Sequence, residues 1–300
     1  MKEKWRTKTI VILLVIAGLS LILYPMIGNY LSNLIYRRAI ENFQSSVEKL
    51  DGVTYDDLLK EAREYNRRLK KTEVWPLVPE FSNEEWADYL SQLDITGTGI
   101  MGYIEIPAVG ILLPIYHGTS EAVLQKGAGH LEGSSLPIGG ESTHSVLSAH
   151  TGLPSAKLFT DIDLLRLGDT FSITILQETI TYEVDQIDVV APYEVWALGV
   201  VDGEDYCTLL TCTPRGINSH RLLVRGRRVE TPVEDTEPVQ PDTAPTVVAP
   251  QPEPERMDYS VITVSVIVLA GITFVIVAVT LAHRRQGKDK KKHTGKGENI

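Results

Sequence analysis

Cysteine is almost absent: the 300 residues contain two, Cys207 and Cys212. That excludes a disulfide-stapled fold. A zinc site is excluded too, because none of His117, His130, His144 and His220 stands at ligand spacing from either thiol. The two cysteines are five apart in one alternating stretch, an offset that sends strand side chains to opposite faces and disfavours a bridge between them. Basic residues are scarce through the middle of the chain. Residues 28–256 hold 18 Lys+Arg against 35 Asp+Glu, a net of −17, within a formal charge of −10 overall. So acidic a body excludes nucleic acid as a partner. Nothing in the sequence requires a cofactor or a metal.

The missing basic charge sits at the ends, beside two long apolar runs. Residues 9–27 carry no charge and follow Lys2, Lys4, Arg6 and Lys8; residues 261–282 carry none and precede Arg284, Arg285 and a lysine-rich tail. Each run is long enough to span a bilayer. Basic flanks mark the cytoplasmic side, so both termini are expected inside the cell membrane and residues 28–260 outside. A cleaved signal peptide is the alternative for the first run, but no convincing small-x-small site follows it.

Between the runs the pattern changes once. Leu31, Leu34, Ile35, Ala39, Ile40 and Phe43 recur at helical spacing. Thr54 with Asp57 reads as a cap opening a second helix, with Tyr55, Leu58, Leu59, Ala62, Tyr65 and Leu69 on one face. Residues 72–79 hold two prolines and break the pattern. Ser82 with Glu85 caps a short third helix bearing Trp86, Tyr89, Leu90 and Leu93. Strand signals then take over at 100–106, 111–116, 145–149, 170–176, 180–190, 206–212 and 221–229. Residues 118–141, with six glycines, read as a long loop with at most a short helix, and 177–179 as a hairpin turn. Residues 154–167 read as one or two helical turns. Many short strands after a helical preface suggest a closed or nearly closed barrel. Residues 231–254, rich in Pro, Thr and acids, read as an extended tether.

The chemistry gathers at strand ends. Cys212 closes the strand Tyr206–Cys212, and Arg221 opens the partner strand after a turn-rich loop. A thiol beside fixed positive charge ionises more readily, and the thiolate is the nucleophile; a buried structural cysteine is the alternative for this stretch alone. A Cys nucleophile needs an imidazole brought near in space. His150 ends the apolar strand that begins near Ser145 and precedes a glycine turn. His220, next to Arg221, is the rival base. Cys207 reads as a small core residue.

Thr208-Leu209-Leu210-Thr211-Cys212, with His150 before it and Arg221 nine residues after it, resembles the TLxTC signature of the sortases. The two flanking spans resemble the class C, pilus-assembling kind. The resemblance covers roughly residues 30–229 and both spans, and it implies a mainly β fold, an eight-stranded barrel with N-terminal helices flanked by two transmembrane helices. The implied map is a basic N-terminus at 1–8, a span at 9–27 and helices with a lid at 28–95. A catalytic barrel at 96–230, a tether at 231–260, a span at 261–282 and a basic tail at 283–300 complete it. The resemblance also implies a transpeptidase acting on proteins with an LPxTG-like sorting signal. Cys212 would form a thioacyl enzyme with the threonine, His150 would serve as acid then base, and Arg221 would stabilise the oxyanion. A pilin lysine would be the acceptor.

Class C sortases share a lid with an Asp-Pro-aromatic motif. This chain departs from it with Glu73-Val74-Trp75, which keeps the acid and the aromatic and loses the proline. Trp75 stacking over the site and Glu73 meeting Arg221 is the lid expectation; surface packing of Trp75 is its alternative. Two rival functions stay open, a housekeeping sortase that attaches proteins to peptidoglycan and a non-enzymatic, membrane-tethered binding domain. A papain-like hydrolase is excluded by the order of cysteine and histidine.

Overall fold

The structure, a computed structural model, describes residues 2–70, 81–194 and 196–230. The lid positions Glu73 and Trp75, the tether and the second apolar run lie outside the described residues. The chain divides into two compact units, residues 27–242 and a second made of 1–26 with 243–300. Of the second unit the described part is the start of helix α1 (Lys2–Val47). From Ile10 onward α1 is long and apolar enough to cross a membrane. Leu13, Leu14, Leu21 and Leu23 stand exposed along it, an apolar surface of the kind that a core or a membrane covers.

The sequence pattern breaks the first apolar run from the helix after it, whereas the structure continues one helix through Pro25. A shift from uniform to one-sided apolarity changes what a helix packs against, not whether it is helical. The packed face matches the expected one in its second half, at Ala39, Ile40 and Phe43, and departs from it in the first. Tyr36, Ile40, Phe43 and Val47 are buried at intervals of four, three and four residues, while Leu31, Leu34 and Ile35 are exposed. Helix α2 (Gly52–Lys70) starts earlier than the Thr54–Asp57 pattern suggests. Its cap is Asp51, whose carboxylate accepts from Thr54 N at 2.7 Å; an acid preceding a glycine serves as well as the threonine. Helix α3 (Asn83–Ser91) has the expected capping box, with Ser82 and Glu85 bonding reciprocally.

The remaining elements form a closed barrel. In chain order they are β1 (Ile100–Ile106), β2 (Ile111–His117), α4 (Glu121–Leu124), β3 (Ala128–His130), β4 (Thr143–Ser148), β5 (Thr170–Ile175), β6 (Glu178–Val190), β7 (Asp205–Thr213) and β8 (His220–Val229). Neighbours run β1-β2-β3-β4-β7-β8-β6-β5 and close back on β1. Pairs β2/β3 and β4/β7 are parallel, the others antiparallel. The glycine-rich stretch expected as a loop therefore carries a strand. β3 spans three residues, too few for alternation to show, and its middle is Gly129. A Cβ there would come within 2.3 Å of the Gly118 carbonyl oxygen, so the close approach requires glycine.

Alternation sends Ile104, Ile115, Leu147, Phe171, Tyr182 and Leu209 inward, all at or below 1% exposure; each contributes about 1.5–3 kcal/mol by burial. The helices pack on this core through apolar and polar contacts. Asn66 of α2 pairs twice with Leu136, donating to its carbonyl at 3.2 Å and accepting from its N–H at 2.7 Å. Tyr89 of α3, fully buried, bonds His130 Nδ1 at 2.9 Å and accepts from Gly118 N at 2.8 Å.

Three histidines expected beside turns or strand edges are buried at polar anchor points. His117 meets the carbonyls of Gln92 and Gly99, His130 that of Ser135, and His144 the carbonyl of Gly199 and the hydroxyl of Thr208. Burial pushes His130 and His144 each down to about 4, from an ordinary 6.5, and lowers His117 as well. An imidazole held neutral in the folded state but protonated in the unfolded one weakens folding as pH falls below 6.5, until the folded group protonates near 4. Between pH 7 and pH 5 the unfolding free energy is therefore expected to drop by about 2 kcal/mol for each of His130 and His144. Denaturant titrations at the two pH values check this, and equal stabilities would contradict it.

Candidate active site

Three strand ends converge at one rim of the barrel. On β7, Cys207 and Leu209 face the core, while Leu210 and Cys212 face a pocket of about 340 Å³. The five-residue offset thus separates the two thiols as alternation requires. Burial raises the Cys207 thiol well above its ordinary range, so it stays protonated and inert. Cys212 is half-buried and free.

Arg221 is the direct partner of Cys212 across the β7–β8 ladder. Its guanidinium Nη1 donates to the carbonyls of Asn218 at 3.3 Å and His220 at 3.1 Å. Those two bonds use one edge of the guanidinium fork, and its remaining donors are not spent on them. His150 arrives from the other side of β7. The parallel β4–β7 pairing continues past Ser148, with Ala149 N donating to Leu210 O at 3.2 Å and Thr211 Oγ1 to Ala149 O at 2.8 Å. Phe159 N donates to the carbonyl of His150 itself, and Gly152, at φ 73°, turns the chain away. The side chain of His150 is 25% exposed and lines the same pocket as Cys212 and Arg221. His220 is exposed, bonds Ser219, and is not among the described residues lining that pocket.

Leu131, Val190, Leu198, Leu210 and Leu223 give the pocket an apolar floor, continuous with a small cluster around Val146. Thr119 and Glu194 supply polar edges. The loops on either side are tied by Arg215, which pairs with Asp161 at 3.1 Å and Asp163 at 2.7 Å. Among the described residues no group of three or more His, Cys, Asp or Glu is placed to hold a metal. A thiol, an imidazole and a guanidinium over an apolar floor suit acyl transfer on an extended peptide.

A Sortase-domain family model matches residues 104–229. Sortase C1 from Streptococcus agalactiae is 53% identical, with a TM-score of 0.62, over 65% of this chain and all of that one. The chain belongs to the sortase family, in its class C. Sortase C-1 from Streptococcus pneumoniae is similar at 43% identity and a TM-score of 0.57, over 65% of this chain and 99% of that one. Sortase A of Streptococcus agalactiae serotype III (strain NEM316) is 28% identical over 68% of this chain and 77% of its own length. As a sortase, the protein is a cysteine transpeptidase.

Sequence reasoning missed Thr119, Glu194 and the floor residues Leu131 and Leu198. Thr119 stands just before a four-residue helix, too short to give a period. Leu131 lies just past the unrecognised β3, and Leu198 in a 3-10 turn. The difference between the two thiols is directly testable. A maleimide added to the native full-length chain is expected to modify Cys212 alone, leaving Cys207 to react only after unfolding. Equal labelling of both would contradict the placement of Cys207 in the core.

Proposed function

We propose that this sortase cuts an LPxTG-like sorting signal between threonine and glycine and joins the threonine carboxyl to a lysine amine of a pilin. The observation that carries the reading is the convergence of Cys212, His150 and Arg221 on one apolar-floored pocket. The floor suits the leucine and proline of such a signal, which gain by leaving water.

In the first half-reaction the Cys212 thiolate attacks the threonine carbonyl carbon, and a C–S bond forms. The oxyanion that develops meets the donors of Arg221, which stays charged at any working pH. As the carbonyl reforms, the C–N bond to glycine breaks and His150 protonates the departing amine, a poor leaving group otherwise. In the second half-reaction the lysine amine attacks the thioester. A C–N bond forms, the C–S bond breaks, Cys212 leaves as thiolate, and the amine proton passes to His150. Each group ends as it began.

Support for a pilin acceptor comes from the relatives. One similar structure, 45% identical with a TM-score of 0.59, is Sortase C1 of GBS Pilus Island 1. The apolar start of α1 supports anchoring in a membrane. Basic residues before that run and after residues 261–282 support two spans, with both termini cytoplasmic and the barrel outside.

Chemistry and topology are tested together by presenting wall-stripped cells externally with a sorting-signal protein and a lysine-bearing pilin. An isopeptide bond between the threonine and the pilin lysine is expected, and Cys212→Ala, His150→Ala and Arg221→Ala should each abolish it. Ligation by the detergent-solubilised enzyme but not by intact cells would contradict the topology. Transfer to a peptidoglycan amine in place of the pilin would make it a wall-anchoring enzyme.

A further inference from the structure

One carboxylate at the site has no part in the chemistry above. Glu121 is the first residue of α4, following Ser120. Its Oε2 lies 3.2 Å from Nε2 of His150, and its Oε1 accepts from Gln125 Nε2 at 2.8 Å, one helical turn further on. Nε2 of His150 is buried and has no aligned hydrogen-bond partner among the described residues. The contact with Glu121 is therefore one of charge and proximity at rest; catalytic hydrogen bonds commonly tighten only with substrate in place.

The loop that carries Glu121 is itself fixed. Gly118 N donates to the buried Tyr89 hydroxyl at 2.8 Å, and Thr119 Oγ1 donates to the largely buried Glu132 at 3.1 Å. Hydrogen bonding from Gln125, followed by the charge of His150, holds the Glu121 carboxyl below the usual carboxylate range. It is anionic wherever an imidazole titrates. The charged groups that line the pocket itself are placed differently: Glu194 is engaged by the N–H of Ala191 at 2.8 Å, and Arg221 by two carbonyls. Nearby Arg215 is paired with Asp161 and Asp163.

We propose that Glu121 is the positioning residue for His150: steadied by Gln125, it fixes the ring with Nε2 toward the carboxylate. This rests on the reading of His150 as acid and base. With Nε2 at the carboxylate, Nδ1 is the nitrogen that gives its proton to the departing amine and takes one from the incoming amine. A carboxylate in this place holds the ring in the one orientation that both proton transfers need. Glu121 itself neither gains nor loses a proton. Its side chain is 69% exposed, so solvent screens the contact and the effect is a fraction of what the imidazole itself supplies.

The test measures steady-state cleavage of an LPxTG peptide by the full-length chain in detergent, with thermal unfolding alongside. Glu121→Gln is expected to lower kcat about tenfold, against the 10²–10⁴ that a whole acid–base group supplies. KM should stay within about twofold, as befits a loss confined to the chemical step. Glu121→Asp should recover most of kcat, Gln125→Ala should cost less than Glu121→Gln, and the thermal midpoint should not move. Wild-type kcat in Glu121→Gln would overturn the proposal. So would equal losses in Glu121→Gln and Glu121→Asp with a lowered midpoint, the mark of a residue that only supports the helix start. His150→Ala separates the two layers. Retained activity in that variant defeats the reading of His150, whereas its loss alongside full activity in Glu121→Gln defeats only the role of Glu121.

Discussion

The parallel pairing of β4 with β7 is the constraint on which the site depends. Cys212 and His150 are 62 residues apart in sequence, and the ladder from Thr143↔Asp205 to Ser148↔Leu210 sets one beside the other. A slip of one residue would exchange the two faces of β7, sending Cys212 into the core and Cys207 to the pocket. Several features oppose such a slip. Leu147 and Leu209 are buried on the inner face, Thr211 bonds the carbonyl of Ala149, and β8 pairs with β7 over eight residues on its other side. Gly226 adds to this: a Cβ there would come within 2.6 Å of the Phe171 ring, so the backbone of β8 passes where no other residue fits. Because β4 and β7 run the same way, their ends lie at the same rim, and a nucleophile and a base can meet there without a long loop.

The helical preface is joined to the barrel by polar contacts that are costly to leave unmade. An unpartnered buried amide or hydroxyl costs about 1–3 kcal/mol. Asn66 satisfies both backbone groups of Leu136, and Tyr89 satisfies Gly118 and His130 together. Gly118 leads directly into Thr119 and Glu121. The third helix is thereby part of the support of the pocket wall.

Where period or a specific cap exists, the sequence is legible. The strands at 100–106, 111–116 and 206–212 match within a residue or two, as does the Ser82–Glu85 box. The motif around Cys212 names the family because its residues are contiguous. Where the information is tertiary, the reading fails. Nothing in Ala128-Gly129-His130 announces a strand, since three residues show no alternation and the glycine in the middle answers a close approach to Gly118. The burial of His130 and His144 follows from partners that arrive from elsewhere in the chain, Ser135 and Tyr89 for one, Gly199 and Thr208 for the other. Leu34 and Ile35 look like core by spacing and are exposed, because the helix face that meets the barrel is chosen by the barrel. Glu121 lies 29 residues from His150 in a segment with no period, so only the folded arrangement brings the carboxylate to the ring.

The central claim is that Cys212 carries the substrate's acyl group through the reaction. Intact-mass analysis of the full-length chain, quenched in acid within seconds of mixing with an LPxTG peptide, reads this directly. The account predicts a mass increase equal to the acyl fragment ending in threonine, located on Cys212 by proteolysis and released by hydroxylamine as a thioester should be. Turnover of the peptide with Cys212 unmodified, or with the acyl group on another residue, would contradict it.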